Sequence, residues 1–236
     1  MHHWLSTPAG QHLLAWEQTQ CDAAVADLFG FHAVQLGLPA LDALRANRMP
    51  HRWQVEEVPG TALPPSVALF AESTALPFPP ASLDLLVLPH TLDLSHDPHA
   101  TLREVDRVLV PEGRLLLFGF NPTSVWGLGH AFGRRLPEVP DLIGHWRLRD
   151  WLRLLGFEVQ GHQFGCYRPD LSSPRWFDRL AWLESVGTWA WPFLGSVYTV
   201  QAIKRVHGMR LLSPTWNTPR VRRARTISTA SSRELP

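Results

Sequence analysis

Residues 73–122 read STALPFPPASLDLLVLPHTLDLSHDPHATLREVDRVLVPEGRLLLFGFNP. Two runs within it, LDLLVL at 83–88 and RLLLFGF at 114–120, are apolar almost throughout. That is how strands covered on both faces read. Between them, Pro98 opens a stretch with Leu102, Val105, Val108 and Leu109 on one helical face, and Asp97 stands at the capping position. Pro111-Glu112-Gly113 then supplies a turn. Strand, helix and strand in this order predict a parallel crossover unit, and so an α/β fold with a doubly wound sheet. Asp84, inside the first apolar run, is read as a residue of the fold.

Working outward, Thr7-Pro8 is a helix-start signature, and apolar residues recur at loosely helical spacing up to Gly30. Residues 1–30 are therefore expected to hold an N-terminal helix. Residues 32–36 read as a strand ending at Gly37, 39–47 as a short helix with Leu41 and Leu44 inward, 53–58 and 67–71 as strands, and 61–66 as a proline-bearing loop. On the other side, 121–146 reads as a linking region, 148–155 as a helix stopped by Gly156, and 157–163 and 197–204 as strands. A mostly parallel, seven-stranded-type sheet over residues 31–205 follows. Residues 168–195 form a helical insertion before the last strand, carrying Trp176, Trp182, Trp189 and Trp191. These rings serve either the core or a lid over an acceptor.

The chain of 236 residues has a formal net charge of +1 that hides an asymmetry: residues 1–203 carry 14 basic and 20 acidic side chains, and the rest eight basic and one acidic. An acidic body does not describe a nucleic-acid-binding domain, whose cations should cover a folded face. Residues 206–236, rich in Arg, Ser, Thr and Pro, are expected to be a disordered basic tail and a candidate for peripheral contact with a membrane. The two cysteines, Cys21 and Cys166, form no motif, and the first residues lack the pattern of a signal peptide. A reduced, cytoplasmic setting is the expectation. The uncharged stretch 185–203 contains Gly, Pro, Ser and Thr and is read as a helix end plus a buried strand rather than a membrane span. The sequence carries no signal of oligomeric state. There is no Gly-x-Ser-x-Gly elbow, and Gly127-Leu128-Gly129 does not closely follow a strand, so neither a hydrolase nor a nucleotide loop is indicated.

Several linked motifs carry a resemblance. Leu76-Pro77-Phe78, Ser82-Leu83-Asp84, His90-Thr91-Leu92-Asp93, Asp97-Pro98, Arg103-Glu104-Val105-Asp106-Arg107-Val108-Leu109 and Pro111-Glu112-Gly113 occur in one order. Leu155-Gly156-Phe157-Glu158-Val159 follows downstream. In these the chain resembles the type 11 class I methyltransferases, and in its whole extent their YafS-like branch. The resemblance implies a Rossmann-like fold, S-adenosylmethionine as cofactor, and methyl transfer to an acceptor that the sequence does not name; a small, apolar one would suit the tryptophans. The alternative is a pseudo-methyltransferase that binds a ligand or partner without catalysis.

In open parallel sheets the ligand sits beyond the carboxyl ends of the strands. That places Gln35, Leu36 and Gly37 at the methionine side of the cofactor, Glu56 or Glu57 at the ribose, Glu72 and Ser73 at adenine, and Pro89 and His90 facing cofactor and acceptor. The family's first motif has an acid and then alternating glycines. Here Gln35 replaces the acid, and Pro39 and Leu41 stand where later glycines belong. His90 is a candidate general base or, equally, a buried histidine at a strand-to-helix junction. Asp93, His96, Asp97 and His99 are read as a solvated loop and cap, so no metal is expected.

Overall fold

Thr7 starts the main N-terminal helix: its Oγ1 accepts the Gly10 N–H at 3.2 Å, and Pro8 fills the first turn. The computed structural model describes residues 2–57, 67–132, 139, 142–170 and 174–206, without the side chains of His2, His3 and Val67. The expected loop at 61–66 and the tail beyond Val206 lie outside the described residues.

Seven strands form one sheet: β1 (His32–Leu36), β2 (His51–Glu56), β3 (Val67–Phe70), β4 (Leu83–Pro89), β5 (Leu109–Phe120), β6 (Phe157–Gly165) and β7 (Val197–Lys204). Their order is β3-β2-β1-β4-β5-β7-β6. The first five run parallel; β7 is antiparallel to both β5 and β6. The central runs that looked doubly buried are so: Leu85, Leu86, Val87 and Leu88 lose all solvent contact.

Helices cover both faces, as the doubly wound reading requires. They are α1 (His2–Leu5), α2 (Pro8–Val25), α3 (Thr91–Leu94), α4 (Pro98–Val108), α5 (Val125–Ala131), α6 (His145–Leu154), α7 (Pro174–Arg179) and α8 (Trp182–Ala190). On one face, α1 and α2 pack Trp4, Leu5, Leu13, Cys21 and Val25 against Ala33, Leu85, Val87, Leu116 and Phe118. On the other, α4 and α6 pack Leu102, Val105, Leu148 and Leu152 against Val34, Leu86, Leu88 and Leu117. Asp84 belongs to the fold: its Oδ2 accepts the N–H groups of Phe31 and His32 at 2.8 and 2.9 Å, fixing the entry to β1.

Two local expectations change. Residues 39–47 form a succession of turns and no helix, because a buried side chain claims their backbone groups, as described below. The linking region contains α5, whose cap Ser124 accepts the Gly127 N–H at 3.0 Å. The insertion is helical, but Phe177 alone of its large aromatics is buried.

The α2 face leaves no room where β6 ends. A Cβ on Gly165 would lie 2.1 Å from the Trp16 ring, which itself stands edge-on to Phe118. A rigid indole cannot yield as a flexible chain would. Gly165→Ala is therefore expected to cost about 1–3 kcal/mol, the scale of overpacking, read as a lowered melting temperature. A melt matching the parent would show that α2 moves off the sheet freely.

Candidate functional site

The carboxyl ends of β3, β2, β1 and β4 form one row. Gly37 N–H donates to Val55 O at 2.8 Å, and Ala71 N–H to Glu56 O at 2.9 Å. Gln35 is level with Val87, which sets Gly37 beside Pro89. Most of the residues expected from sequence thus come together along this row: Leu36 and Gly37 after β1, Glu56 at the end of β2, Glu72 and Ser73 after β3, Pro89 and His90 at the end of β4.

Gly37 adopts φ +84°, the left-handed region that favours glycine, and a Cβ there would come within 3.3 Å of Thr91 Oγ1. Thr91 Oγ1 in turn donates to Leu36 O at 2.5 Å, tying the end of β1 to the start of α3. Beyond Gly37 the chain folds inward. Leu38 follows at φ +50° and is buried with Leu41. Gln35 holds this arrangement. Its Nε2 is shared among the carbonyls of Gly37, Leu38 and Leu41 at 3.1, 3.1 and 2.8 Å, and its Oε1 accepts the Ala43 N–H at 2.9 Å. The carboxamide is fully committed to its own loop.

The two acids after β2 differ. Glu57 Oε1 accepts the Ser73 N–H at 3.0 Å and the Ser73 hydroxyl at 2.8 Å, bracing the turn after β3. Glu56 is half-buried, and burial pushes its carboxyl above the usual carboxylate range. Its Oε1 is shielded from solvent and has no hydrogen-bond partner among the described residues. A buried acceptor without a donor costs free energy. Glu72 sits on the exposed turn that bridges back to Ala75.

His90 is fully buried, at φ +55°, and stacks on Phe120 with ring centroids 4.0 Å apart. Its Nδ1 lies 3.1 Å from Asp93 Oδ2, and its Nε2 lies 2.6 Å from Glu17 Oε1 on α2. Burial opposes its charge, but the Glu17 carboxylate and Asp93 outweigh that and raise the imidazole to about 9. An imidazolium donating from both nitrogens has no lone pair left to take a proton. Of the two alternatives, the geometry is that of the buried junction histidine. Asp93 also accepts the Phe120 N–H at 2.9 Å, so the group pins α2 across the ends of β4 and β5. Asp97 caps α4, accepting the Ala100 N–H at 2.9 Å. No group of three or more metal-binding side chains occurs among the described residues. No described helix is long and apolar enough to cross a membrane.

Glu17 was not singled out from the sequence, yet a signal existed. Leu13, Glu17, Cys21 and Val25 are spaced by four and all fully buried. An acid on that stripe needs a cationic partner.

The sheet order and the row of strand ends are those of Rossmann-like methyltransferases, and comparison agrees. A family profile described as "Methyltransferase domain" matches residues 54–117. The chain is 31% identical over 230 residues to the uncharacterized protein YafS of Escherichia coli (strain K12), covering 94% of this chain and 89% of that one. The chain belongs to the type 11 class I methyltransferase family, in its YafS-like branch. Among solved structures, a SAM-dependent methyltransferase of Thermotoga maritima superposes with a TM-score of 0.62 at 16% identity, covering 86% of this chain and 94% of that one. An S-adenosylmethionine-dependent methyltransferase of Mesorhizobium loti gives 0.55 at 13% identity, covering 78% and 96%. At these identities the structures speak for the fold of the family.

Tested against the family's cofactor, the row divides. The unsatisfied Glu56 oxygen at the β2 end is suited to a ribose diol, and Gly37 still brings backbone close to the β1–β4 junction. The methionine side offers no acid at position 35, and the polar side chains described there, Gln35 and Thr91, are bonded to the backbone of the same turn. The residues fit the adenosyl half.

Proposed function

We propose that the chain carries out S-adenosylmethionine-dependent methyl transfer. The observation that carries this is Glu56 Oε1, solvent-shielded and without a partner among the described residues, set beside Gly37 at the end of a methyltransferase-type sheet. When bound, the cofactor supplies a methyl group made electrophilic by its sulfonium. The chain's own residues bind, orient and exclude water. Glu56 accepts from the ribose hydroxyls. Glu57 holds the Ser73 turn, from which Glu72 reaches the adenine side. Leu36, Gly37 and Pro89 line the approach with backbone. His90 is a positioning residue: clamped between Glu17 and Asp93, it keeps α2 and α3 in place beside the cleft. Methyl transfer from a sulfonium needs alignment more than a base, so a committed His90 is compatible with it. The acceptor in this reading has an apolar part that the tryptophans of the insertion can cover.

Calorimetry with S-adenosylmethionine and S-adenosylhomocysteine tests it. Weak binding is expected, because the adenosyl half is intact and the methionine half has no charged partner. Glu56→Ala should weaken it by about 1.5–3 kcal/mol, the worth of a hydrogen bond to a charged group, with little change in melting temperature, since Glu56 stands at a strand end. No heat from the parent at millimolar cofactor would put the non-catalytic alternative ahead. Unchanged affinity in Glu56→Ala would move the ribose contact elsewhere.

A further inference from the structure

The insertion between β6 and β7 is built inside out. Helix α8 turns Trp182, Val186 and Trp189 outward, at spacings of four and three that place them on one stripe. Its only charged residue, Glu184, faces inward. There it meets His12 Nε2 at 2.7 Å, accepts the Tyr167 N–H at 3.2 Å and lies 3.6 Å from Arg168 Nε. Gly187 rests against the Tyr167 ring, so the inward side of the helix is already packed. Among the described residues the outward side has no such cover. Trp176, Trp182, Trp189 and Trp191 are 58, 57, 87 and 59% exposed, and Phe193 and Leu194 continue the surface. Soluble surfaces do not leave so many large rings in water without a use.

The position of this surface matters. Asn121, just past β5, donates through Nδ2 to the carbonyls of Phe193 and Gly195 at 2.8 and 2.9 Å, and Trp126 Nε1 to Arg168 O at 2.7 Å. The insertion is thus fastened to the carboxyl end of β5, the same end of the sheet as the row of Gly37, Glu56 and His90. Nearby α5 adds exposed Val125 and Leu128, and Phe132 just past its end is exposed too.

We propose that this surface docks the end of the molecule that carries the carboxyl ends of β1, β2 and β4 onto an anionic lipid bilayer. The choice of rings supports a bilayer. Tryptophan prefers the headgroup level, with its ring in the acyl boundary and its N–H still in the polar layer. The charges beside the patch support an anionic one. Exposed Arg175 and Arg179, with exposed Asp178 between them, leave its flank net positive, and Arg179 stacks over the Trp176 ring at 5.1 Å. From Leu180 to Ser196 the sole charge is the inward-turned Glu184. Lys204 and Arg205 stand at the other end of the sheet, paired with Asp106, Glu112 and Glu158, and the sequence beyond Val206 adds six cations against one acid. Apolar insertion and a polybasic segment are the two signals that together make peripheral attachment stable. Resting on the methyl-transfer reading, the acceptor is then an amphiphile that enters the cleft from the membrane.

Co-sedimentation of the full chain with extruded vesicles, without cofactor, tests the docking. Vesicles of equal parts phosphatidylcholine and phosphatidylglycerol should pellet the protein, with tryptophan emission shifted to the blue and quenched by brominated acyl chains. Pure phosphatidylcholine should pellet much less, and added salt should release part of the bound protein. The triple variant Trp182→Ser, Trp189→Ser, Trp191→Ser should bind at least about tenfold more weakly, since the apolar signal is then removed. Its circular dichroism and melting temperature should stay near the parent's, because these rings pack little. Failure of the parent to pellet, or equal pelleting of parent and variant, overturns the proposal. So does a parent that is dimeric by light scattering while the variant is monomeric, which would make the patch a contact between copies. Calorimetry with S-adenosylmethionine, run without vesicles, reads the methyl-transfer proposal separately; its failure would remove the amphiphilic acceptor and leave the docking standing.

Discussion

Glu17→Ala is expected to lower stability by about 3–5 kcal/mol, the cost of removing one partner from a buried charge pair. The substitution takes a carboxylate 2.6 Å from His90 Nε2 and leaves the ring between Asp93 and Phe120 with no acceptor on that side. It also opens a gap in the stripe that seats α2. Denaturant unfolding reads the loss as a fall in midpoint. The pH dependence separates charge from packing. His90 is held at about 9, above its ordinary 6.5, by Glu17 and Asp93 against the effect of burial. A raised pKa in the folded state means stabilisation present in full below pH 6.5 and lost as pH rises through about 9. The parent should therefore lose stability across that window. Glu17→Ala should flatten the slope. Glu17→Gln fills the space and still hydrogen-bonds, so it should recover part of the stability and little of the slope. A Glu17→Ala protein with the parent's midpoint, or with the parent's slope, would mean that α2 is not anchored through this pair.

That pair also marks where the sequence stops being legible. The sheet was readable because LDLLVL and RLLLFGF combine strand length with apolar character on both faces, and because Asp97-Pro98 and Pro111-Glu112-Gly113 punctuate the crossover. Each is a local signal. The partner of His90 is not local: Glu17 lies 73 residues away, and only the docking of α2 on the sheet brings them together. The same holds for the two acids after β2. Adjacent in sequence, they are equal candidates; in the fold Glu57 is taken by Ser73, 16 residues on, and Glu56 keeps a buried oxygen without a partner among the described residues. The tryptophans of the insertion show a third limit. Sequence left them as core or lid; in the fold Trp176 falls on α7 and Trp182 and Trp189 on α8, and it was Glu184 and Gly187 that claimed the inner side of α8. Residues 39–47 failed as a helix for a related reason. Their apolar spacing was right, but Gln35, outside the segment, took the Leu41 carbonyl and the Ala43 N–H within it and the Gly37 and Leu38 carbonyls just before it.

That side chain is the subject of the second large effect. Gln35→Ala is expected to cost about 2–4 kcal/mol, since it strands the Ala43 N–H and the carbonyls of Gly37, Leu38 and Leu41 in a buried setting, and unmet polar groups there carry a cost of order 1–3 kcal/mol each before relaxation. Gln35→Glu restores the acid that the family has at this position, and it is expected to help neither stability nor binding. The new carboxylate keeps an acceptor for Ala43 but turns an oxygen toward three carbonyl oxygens that now receive a donated hydrogen. The strand end cannot simply open to relieve this, because Leu38 and Leu41 are buried in the core and Pro39 fixes the backbone between them. Stability should fall at least as far as in Gln35→Ala, and calorimetry should show no gain for S-adenosylmethionine. A Gln35→Glu protein as stable as the parent and binding the cofactor more tightly would mean that the loop turns outward when an acid is present, and that the inward fold held by Gln35 is only one of two states of the same turn.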